Sequence, residues 1–464
     1  MSISSEQVQY LIQHPELLAV TDGLELTKKS LLRDLAQVKK VIDDPELARA
    51  VMEVAVATRK AKAKLGFIGA GEGRGAGTGA GGQGEHRPIV SEEAVQQATP
   101  WPVALLRAHR LAGSFGTFAA QPIKGVRDVT CSIGTELAAC AEVFGGSGSS
   151  PVSSPVSLKG TDIDAARIAM AQHNLADYPI HFGVADALAG DESNEDTVIV
   201  ADPARRSSSG RIYDPEQLQP PLSALMAAWP EAPVAIKCAP GIDYSDFDGE
   251  AAVASVAGNV KETCLYSPSL ALPGRGTTST RARRSAWVMH EIQAHAQQRW
   301  VVEHYDDTLP CATETVETRS LGKYVIDPDG AVVRAGLVQQ YAAAHGLWQL
   351  DSKIAHLTGD LIPVGASGFE ILERTTIKNV RKSLAQRNCG SAEILVRGHD
   401  LDPDQLRKKW KLRGKNSLAV VLTRIDGAGV ALICTPRQWG ASFEVAEVAA
   451  EVATQKYATE VFLI

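Results

Sequence analysis

Residues 127–137, R-D-V-T-C-S-I-G-T-E-L, decide how the chain is expected to fold. The apolar run from Val126 to Val129 predicts a short buried strand, the small residues from Thr130 to Gly134 a tight turn, and Thr135 the start of a helix. A turn at the carboxyl end of a parallel strand, facing a helix amino terminus, is where open α/β sheets bind ligands, because backbone N–H groups there have no other partner.

Outward from this stretch, strands and helices alternate. Downstream the pattern predicts strands at Ser157 to Thr161, His181 to Val184, Thr197 to Ala201 and Pro233 to Cys238, with helices at Asp164 to Asn174 and Pro215 to Ala228. Such alternation implies parallel βαβ units with right-handed crossovers. Two β-like runs follow, Val260 to Tyr266 and Ser285 to His290, the second read as an antiparallel edge partner of the first. Upstream, Ala98 to Gly113 predicts a helix capped by Thr99, with Pro100 just after the cap.

The first 65 residues read as helical, with Leu31, Leu32, Leu35, Val38, Val41 and Ile42 recurring at three and four. A second helix opens at Asp44-Pro45, faces Val51, Val54 and Ala55 inward, and ends in the basic run Arg59 to Lys64. That run suits either a solvated helix end or a phosphate backbone. Gly77 to Gly82 spells G-x-G-x-x-G, but no strand precedes it and no amphipathic helix follows. A flexible linker is the expectation there, and Gly145 to Ser157 reads as a surface loop.

From about Leu321 the pattern becomes α+β. Strands are expected at Lys323 to Ile326, Glu393 to Val396, Leu418 to Ile425 and Val430 to Cys434, with helices at Ala335 to His345, Asn379 to Gln386 and Asp402 to Lys411. Asp426-Gly427 predicts a hairpin turn between the last two strands. The expected domains are a helical region at 1–68, a Gly-rich linker at 69–88, a main α/β domain at 89–318 and an α+β domain at 319–464.

A chain of 464 residues with 44% hydrophobic and 22% charged composition suits an ordinary multi-domain soluble protein, and a net charge of −7 argues against global attraction to nucleic acid. Seven cysteines without a C-x-x-C pair fit a reducing compartment and supply no metal-ligand spacing. With no signal peptide evident and no long apolar run, the expectation is a cytoplasmic protein with no membrane span.

Four acids punctuate the alternating region: Asp128, Asp162 and Asp202 end its first, second and fourth strands, and Asp186 follows the third. A carboxylate ending the second strand can accept both hydroxyls of a ribose, a requirement shared by NAD and S-adenosylmethionine (SAM). Pyrophosphate would be repelled by Asp128 and Glu136 beside the turn, whereas a sulfonium with an ammonium group would not, so electrostatics favour SAM.

The set D-V-T-C-S-I-G-T-E, G-T-D-I-D, A-D-A and V-A-D-P-A-R-R, followed by I-K-C-A-P-G-I-D, resembles class I SAM-dependent methyltransferases. With Q-Q-A-T-P-W-P-V-A, R-A-G-L-V and L-V-R-G-H-D-L, the chain from Gln96 to Ile464 looks like bacterial methyltransferases with a carboxyl-terminal THUMP-like domain. The resemblance implies an α/β fold: a Rossmann-like seven-stranded methyltransferase sheet, an N-terminal helical region and a C-terminal α+β THUMP-like domain. It implies that Asp128 and the backbone of Thr130, Cys131 and Gly134, with Glu136 beside them, hold the methionine part of SAM. Asp162 and Ile163 would meet the ribose, Asp186 and Ala187 the adenine, and Asp202, Pro203, Arg205 and Arg206 would form the catalytic face. The usual G-x-G-x-G turn is altered, with Thr130 and Ser132 in place of two glycines. Ala204 and Arg205 stand where amino-directed enzymes carry a proline and a base-stacking ring.

Arg205 and Arg206 either bind phosphate or carboxylate in two-point fashion or form an internal ion pair with Asp202 or Asp214. No Lys, His or Tyr is evident at a base position, and Cys131 reads as a small turn residue rather than a nucleophile. His109 and His173 read as helix-face residues. Arg275, Arg281, Arg283 and Arg284 lie in a loop that is either solvated or a substrate clamp. Glu370 to Asn416 holds 12 Lys and Arg against 6 Asp and Glu, a local net charge of +6. Its helix carries Arg407, Lys408, Lys409 and Lys411 around Trp410, which either joins them in contacting RNA or anchors the helix in the core.

The leading expectation is a SAM-dependent methyltransferase acting on structured RNA held by the basic C-terminal face. Its rivals are an inactive RNA-binding or scaffold protein retaining the fold, and a nicotinamide-dependent oxidoreductase.

Overall fold

The computed structural model of the chain describes residues 3–66, 87–114, 123–145, 156–190, 196–205, 213–274, 281–294, 297–313, 315, 319–425, 427–443 and 460–464. The G-x-G-x-x-G stretch, most of the loop after Gly145, Arg206, Arg275 and Asp426 lie outside these residues, as does the side chain of Arg205. The chain divides into two compact units, Met1–Gly249 with Thr263–Leu272, and Glu250–Glu262 with Pro273–Ile464.

The first unit opens with helices α1 (Ser5–Gln13), α2 (Glu16–Ala19), α3 (Leu31–Val38), α4 (Pro45–Lys64) and α5 (Glu92–Gln97). Asp44 caps α4 through the N–H groups of Glu46 and Leu47, with Pro45 in the first turn, as the sequence predicts. The expected stripe is only partly buried: Val38 and Ile42 enter the core, whereas Leu32 and Val41 are exposed. Helix α3 stops at Val38, so the periodicity beyond it has no helix to act on. The basic end of α4 is occupied internally, Lys60 by Glu92 and Lys64 by the carbonyls of Val95 and Gln96.

Helix α6 (Trp101–Leu111) leads into the sheet. Pro100 takes the N-cap place and Thr99 makes no cap hydrogen bond, contrary to expectation. Then follow β1 (Gly125–Asp128), α7 (Thr135–Gly145), β2 (Ser157–Asp162), α8 (Ala165–Asn174), β3 (Ile180–Val184), β4 (Thr197–Ala201), a ribbon of β5 (Ala204–Arg205) with β6 (Leu218–Gln219), α9 (Leu222–Ala228) and β7 (Val234–Cys238). The helix expected from Pro215 is only a 3-10 turn at Pro215–Gln217. Pro220 and Pro221 lack the N–H that a continuous helix requires, so α9 begins after them. Two further strands follow, β8 (Glu250–Val256) and β9 (Asn259–Tyr266).

Within the first unit the strand order is β3-β2-β1-β4-β7-β9, parallel except for β9, whose residues 263–266 run antiparallel to β7. Because β1 to β4 are parallel, Asp128, Asp162 and Asp202 fall on one edge. Strand β1 is central, flanked in parallel by β2 and β4, and its Val126 is buried.

In the second unit, β10 (Arg284–Ala294) pairs parallel with β8 and antiparallel with β11 (Gln297–Asp306), which in turn meets β20 (Glu460–Leu463). The expected pairing of the Ser285 run with β9 is therefore replaced. The Ala-rich β8, E-A-A-V-A-S-V, is buried at every residue and takes that place through packing that overrides its weak β propensity.

The α+β part contains β12 (Tyr324–Ile326), α10 (Gly330–Arg334), α11 (Val338–His345), β13 (Trp348–Gln349), β14 (Leu357–Gly359), β15 (Ser367–Thr375), α12 (Val380–Gln386), β16 (Cys389–Val396), α13 (Pro403–Trp410), β17 (Asn416–Ile425), β18 (Ala428–Cys434) and β19 (Gln438–Trp439). The helix expected from Ala335 begins only at Val338, because Gly336 lies at φ +69°, and α10 before it was not anticipated. Its main sheet runs β13-β14-β12-β15-β18-β17-β16, with β16 at an edge. Among the described residues no helix is long and apolar enough to cross a membrane.

Gly134, at φ +81°, is the turn position most sensitive to substitution: an added Cβ would lie 2.6 Å from Leu175 Cδ1. Gly134→Ala is expected to destabilise the first unit by about 1–2 kcal/mol or more from the backbone conformation alone. Urea denaturation checks this.

Candidate active site

The turn after β1 is tied to its neighbours by side chains as well as backbone. Thr130 donates its N–H to Asp128 (3.1 Å), while its hydroxyl accepts the N–H of Asp202 (2.6 Å), joining the ends of β1 and β4. Cys131 donates its N–H to the carbonyl of Thr161 (2.9 Å). Asp162 accepts the N–H of Ser132 through one oxygen and that of Asp164 through the other, each at 2.9 Å. Of the two positions where glycine is replaced, only Ser132 is left-handed, at φ +47°.

Behind the turn lies a buried ionic network. Arg107, on α6, donates Nε–H to Glu136 Oε2 (3.0 Å) and an Nη1–H to the Tyr266 hydroxyl (3.2 Å). Lys237, on β7, places Nζ 3.3 Å from Glu136 Oε1 and 2.8 Å from Asp202 Oδ2. Burial alone would raise the Glu136 carboxyl, but Arg107 and Lys237 outweigh it and hold the group down at about 2. Burial pushes Asp128 up to about 7, against the pull of Lys237 and with the help of Glu136. Cys131 is buried and its thiol is pushed well up, which fits a turn residue rather than a nucleophile.

At the tips of β2 and β3 the surface is different. Ile163, Val184 and Leu188 are large apolar side chains left 75%, 58% and 40% exposed. They accompany two carboxylates: Asp162 is paired in register with Val184, and Asp186 accepts the N–H of Leu188 (2.9 Å). Uncovered apolar side chains beside carboxylates fit a flat heteroaromatic ring carrying amino and hydroxyl donors. Ala187 is buried, and its carbonyl accepts the indole N–H of Trp229 (2.9 Å).

The structure therefore brings together Asp128, Thr130, Cys131, Gly134, Glu136, Asp162 and Asp202, and places Ile163, Asp186 and Ala187 around the tips of β2 and β3. Pro203 is buried and follows Asp202 directly. The carboxylate of Glu136 is paired with Arg107 and Lys237 behind the turn. Asp202 has Lys237 as its partner, and Asp214 caps the turn at Pro215–Gln217.

Two buried side chains of this ionic network escape the sequence reading. Lys237 lies in the apolar strand V-A-I-K-C, where a lone lysine is a signal of buried pairing. Arg107 sits in the apolar stripe of α6 with Val103, Leu106 and Leu111. His173, by contrast, lies on α8 as expected and bonds the carbonyl of Arg87 (2.9 Å).

Two Mycobacterium tuberculosis proteins, from strains CDC 1551 / Oshkosh and ATCC 25618 / H37Rv, are each named an uncharacterized S-adenosylmethionine-dependent methyltransferase. Both are 42% identical to this chain over 360 residues, covering 75% of this chain and 89% of theirs. The chain belongs to this family of SAM-dependent methyltransferases. Its cofactor is SAM. A family model described as THUMP domain-like matches residues 366–436 of the methyltransferase. The crystal structure of a candidate methyltransferase from Porphyromonas gingivalis W83 shares the fold, with TM-score 0.58 and 18% identity over 88% of this chain and 98% of that one.

Asp128 keeps its proton up to about pH 7 in the folded methyltransferase but, unfolded, releases it near 3.8. The folded state binds more protons between these values, so this group's contribution to stability falls as pH rises from 4 to 7 and levels off above. Asp128→Asn is expected to flatten that fall in denaturation curves taken from pH 5 to 8. Lys237→Met would leave Glu136 with Arg107 as its one cation and Asp202 with none, and is expected to cost roughly 3 kcal/mol at pH 7, measured the same way.

Proposed function

We propose that the methyltransferase acts on RNA, with the strand tips binding SAM and the THUMP-like segment contributing to RNA binding. Support for the cofactor site comes from the exposed apolar set beside Asp162 and Asp186. Support for RNA comes from the THUMP domain-like match over 366–436 and the net +6 charge of residues 370–416.

In this reading Asp162 takes the ribose hydroxyls, Ile163 and Val184 flank the adenine, and Asp186 accepts from its amino group. Asp128 and the backbone of Thr130, Cys131 and Gly134 hold the methionine part, with Glu136 fixing the helix start behind them. SAM supplies an activated methyl group on a sulfonium, so alignment of the acceptor carries much of the rate. Lys237 holds Asp202 Oδ2 and leaves Oδ1 without a partner among the described residues. Asp202 Oδ1 accepts a hydrogen bond from the acceptor's N–H or O–H and aims its lone pair, with Pro203 shaping the wall. Arg205 and Arg206 follow in sequence and supply cations for the acceptor's phosphates. The protein works in the cytoplasm, where RNA and SAM meet.

An inactive scaffold would draw support from damage to the turn, yet Thr130 makes a bond to Asp202 that glycine could not.

With radiolabelled SAM and total cellular RNA, methyl transfer is expected in the wild type and a loss of at least about 100-fold in Asp202→Ala, in the range seen for removal of aligning groups. Calorimetry should show SAM affinity nearly unchanged in that variant but reduced in Asp162→Ala. Transfer to RNA that survives in Asp202→Ala would remove Asp202 from the acceptor site, and labelling of protein alone would overturn the RNA acceptor.

A further inference from the structure

Within the second unit, a recess of about 600 Å³ lies between α13 and the parallel pair β16–β17. Helix α13 is oriented by its apolar residues: Trp410 is buried and Leu406 packs with it against Leu384 and Leu418. Trp410 is therefore a core anchor, not a stacking platform. That placement turns Arg407, Lys408 and Lys411 onto the wall of the recess.

The recess wall has an unbalanced charge. Its acid, Glu393, is engaged by Arg437 at 2.6 Å. Arg407 pairs with the exposed Asp404, while Lys408 and Lys411 have no acidic partner among the described residues. Lys411 adopts left-handed backbone, φ +48° and ψ +54°, at the position where a helix end ordinarily takes glycine. A strained residue that keeps a long cationic side chain is an observation that points to use of that side chain. Lysines can also guard an exposed sheet edge such as β16, but that role does not call for left-handed backbone.

On the floor, the hydroxyls of Ser391 and Ser417 lie 2.8 Å apart and bond each other. They offer donors and acceptors that exchange readily for those of a ribose 2′-hydroxyl. Among the described residues no aromatic side chain lines the recess, so they offer bases no stacking partner there.

We propose that this recess grips the sugar-phosphate backbone of RNA, with a phosphate held by Lys408 and Lys411 and ribose hydroxyls by Ser391 and Ser417. The proposal rests on the RNA reading above and deepens it: contact is to backbone, and base sequence is not read at this place.

The test is fluorescence anisotropy of the full chain with short mixed-sequence single-stranded RNA, and with DNA of the same sequence, across a KCl series. Both lysines are exposed, so Lys408→Ala/Lys411→Ala should melt like the wild type. It is expected to bind RNA at least about fivefold more weakly, with the salt slope reduced by about 0.7, the value for one phosphate contact on a single strand. Ser391→Ala/Ser417→Ala should narrow the preference for RNA over DNA. Wild-type affinity and slope in the lysine variant would overturn the recess. So would a poly-glutamate peptide that binds as tightly as RNA and is lost in the same variant. Methyl transfer separates the two readings. If the wild type methylates RNA and the lysine variant has the same KM and affinity, the recess falls and the RNA acceptor stands. If the wild type neither binds nor methylates RNA, both fall.

Discussion

One lysine holds the carboxyl ends of the central parallel strands together. Lys237 carries a positive charge into an otherwise apolar strand and meets Glu136 and Asp202 at once. Removing such a charge from water costs several kcal/mol, so it persists only because more than one carboxylate receives it. Arg107 completes the arrangement from α6. Two cations thus face three carboxylates, Asp128, Glu136 and Asp202, and Asp128 rises to about 7, chiefly through its burial and then through the neighbouring carboxylates, against the pull of Lys237. The network joins α6, α7, β1, β4 and β7, so the site's electrostatics and the unit's packing are one property.

The frame of this arrangement was legible in the sequence. Short apolar runs ending in Asp128, Asp162 and Asp202 announced parallel strands with acids on one edge, because strand direction alone decides where such residues gather. The cations were not legible: Lys237 and Arg107 make sense only through partners far away in sequence. The same limit hid β8, whose alanines carry little strand signal until both faces are covered. Local rules misled where two of them competed, as at Thr99, where Pro100 took the cap, and at Pro220-Pro221, where a helix could not continue. Trp410 was ambiguous for a different reason, since one aromatic among lysines suits a core anchor as well as a binding face.

The altered turn shows how a family pattern can be departed from without losing the turn. Thr130 keeps right-handed or extended backbone and uses its hydroxyl to bond Asp202. Ser132 bears the strain of φ +47°, a penalty of about 1–2 kcal/mol. Its N–H bonds the Asp162 carboxylate, an interaction with a charged group worth about 1.5–3 kcal/mol. The two are similar in size, so the missing glycine need not open the turn. Arg167 adds a second support, reaching the Ser132 hydroxyl (3.4 Å) and Glu93 of α5 (3.1 Å). Ile133 is buried in the same apolar cluster as α1, α4 and α5, together with Met170 of α8. The N-terminal helices therefore brace the turn from behind. Where glycine would have let the backbone adopt the turn unaided, this chain holds it by packing and charge, and that dependence accounts for a helical region folded into the same unit as the turn.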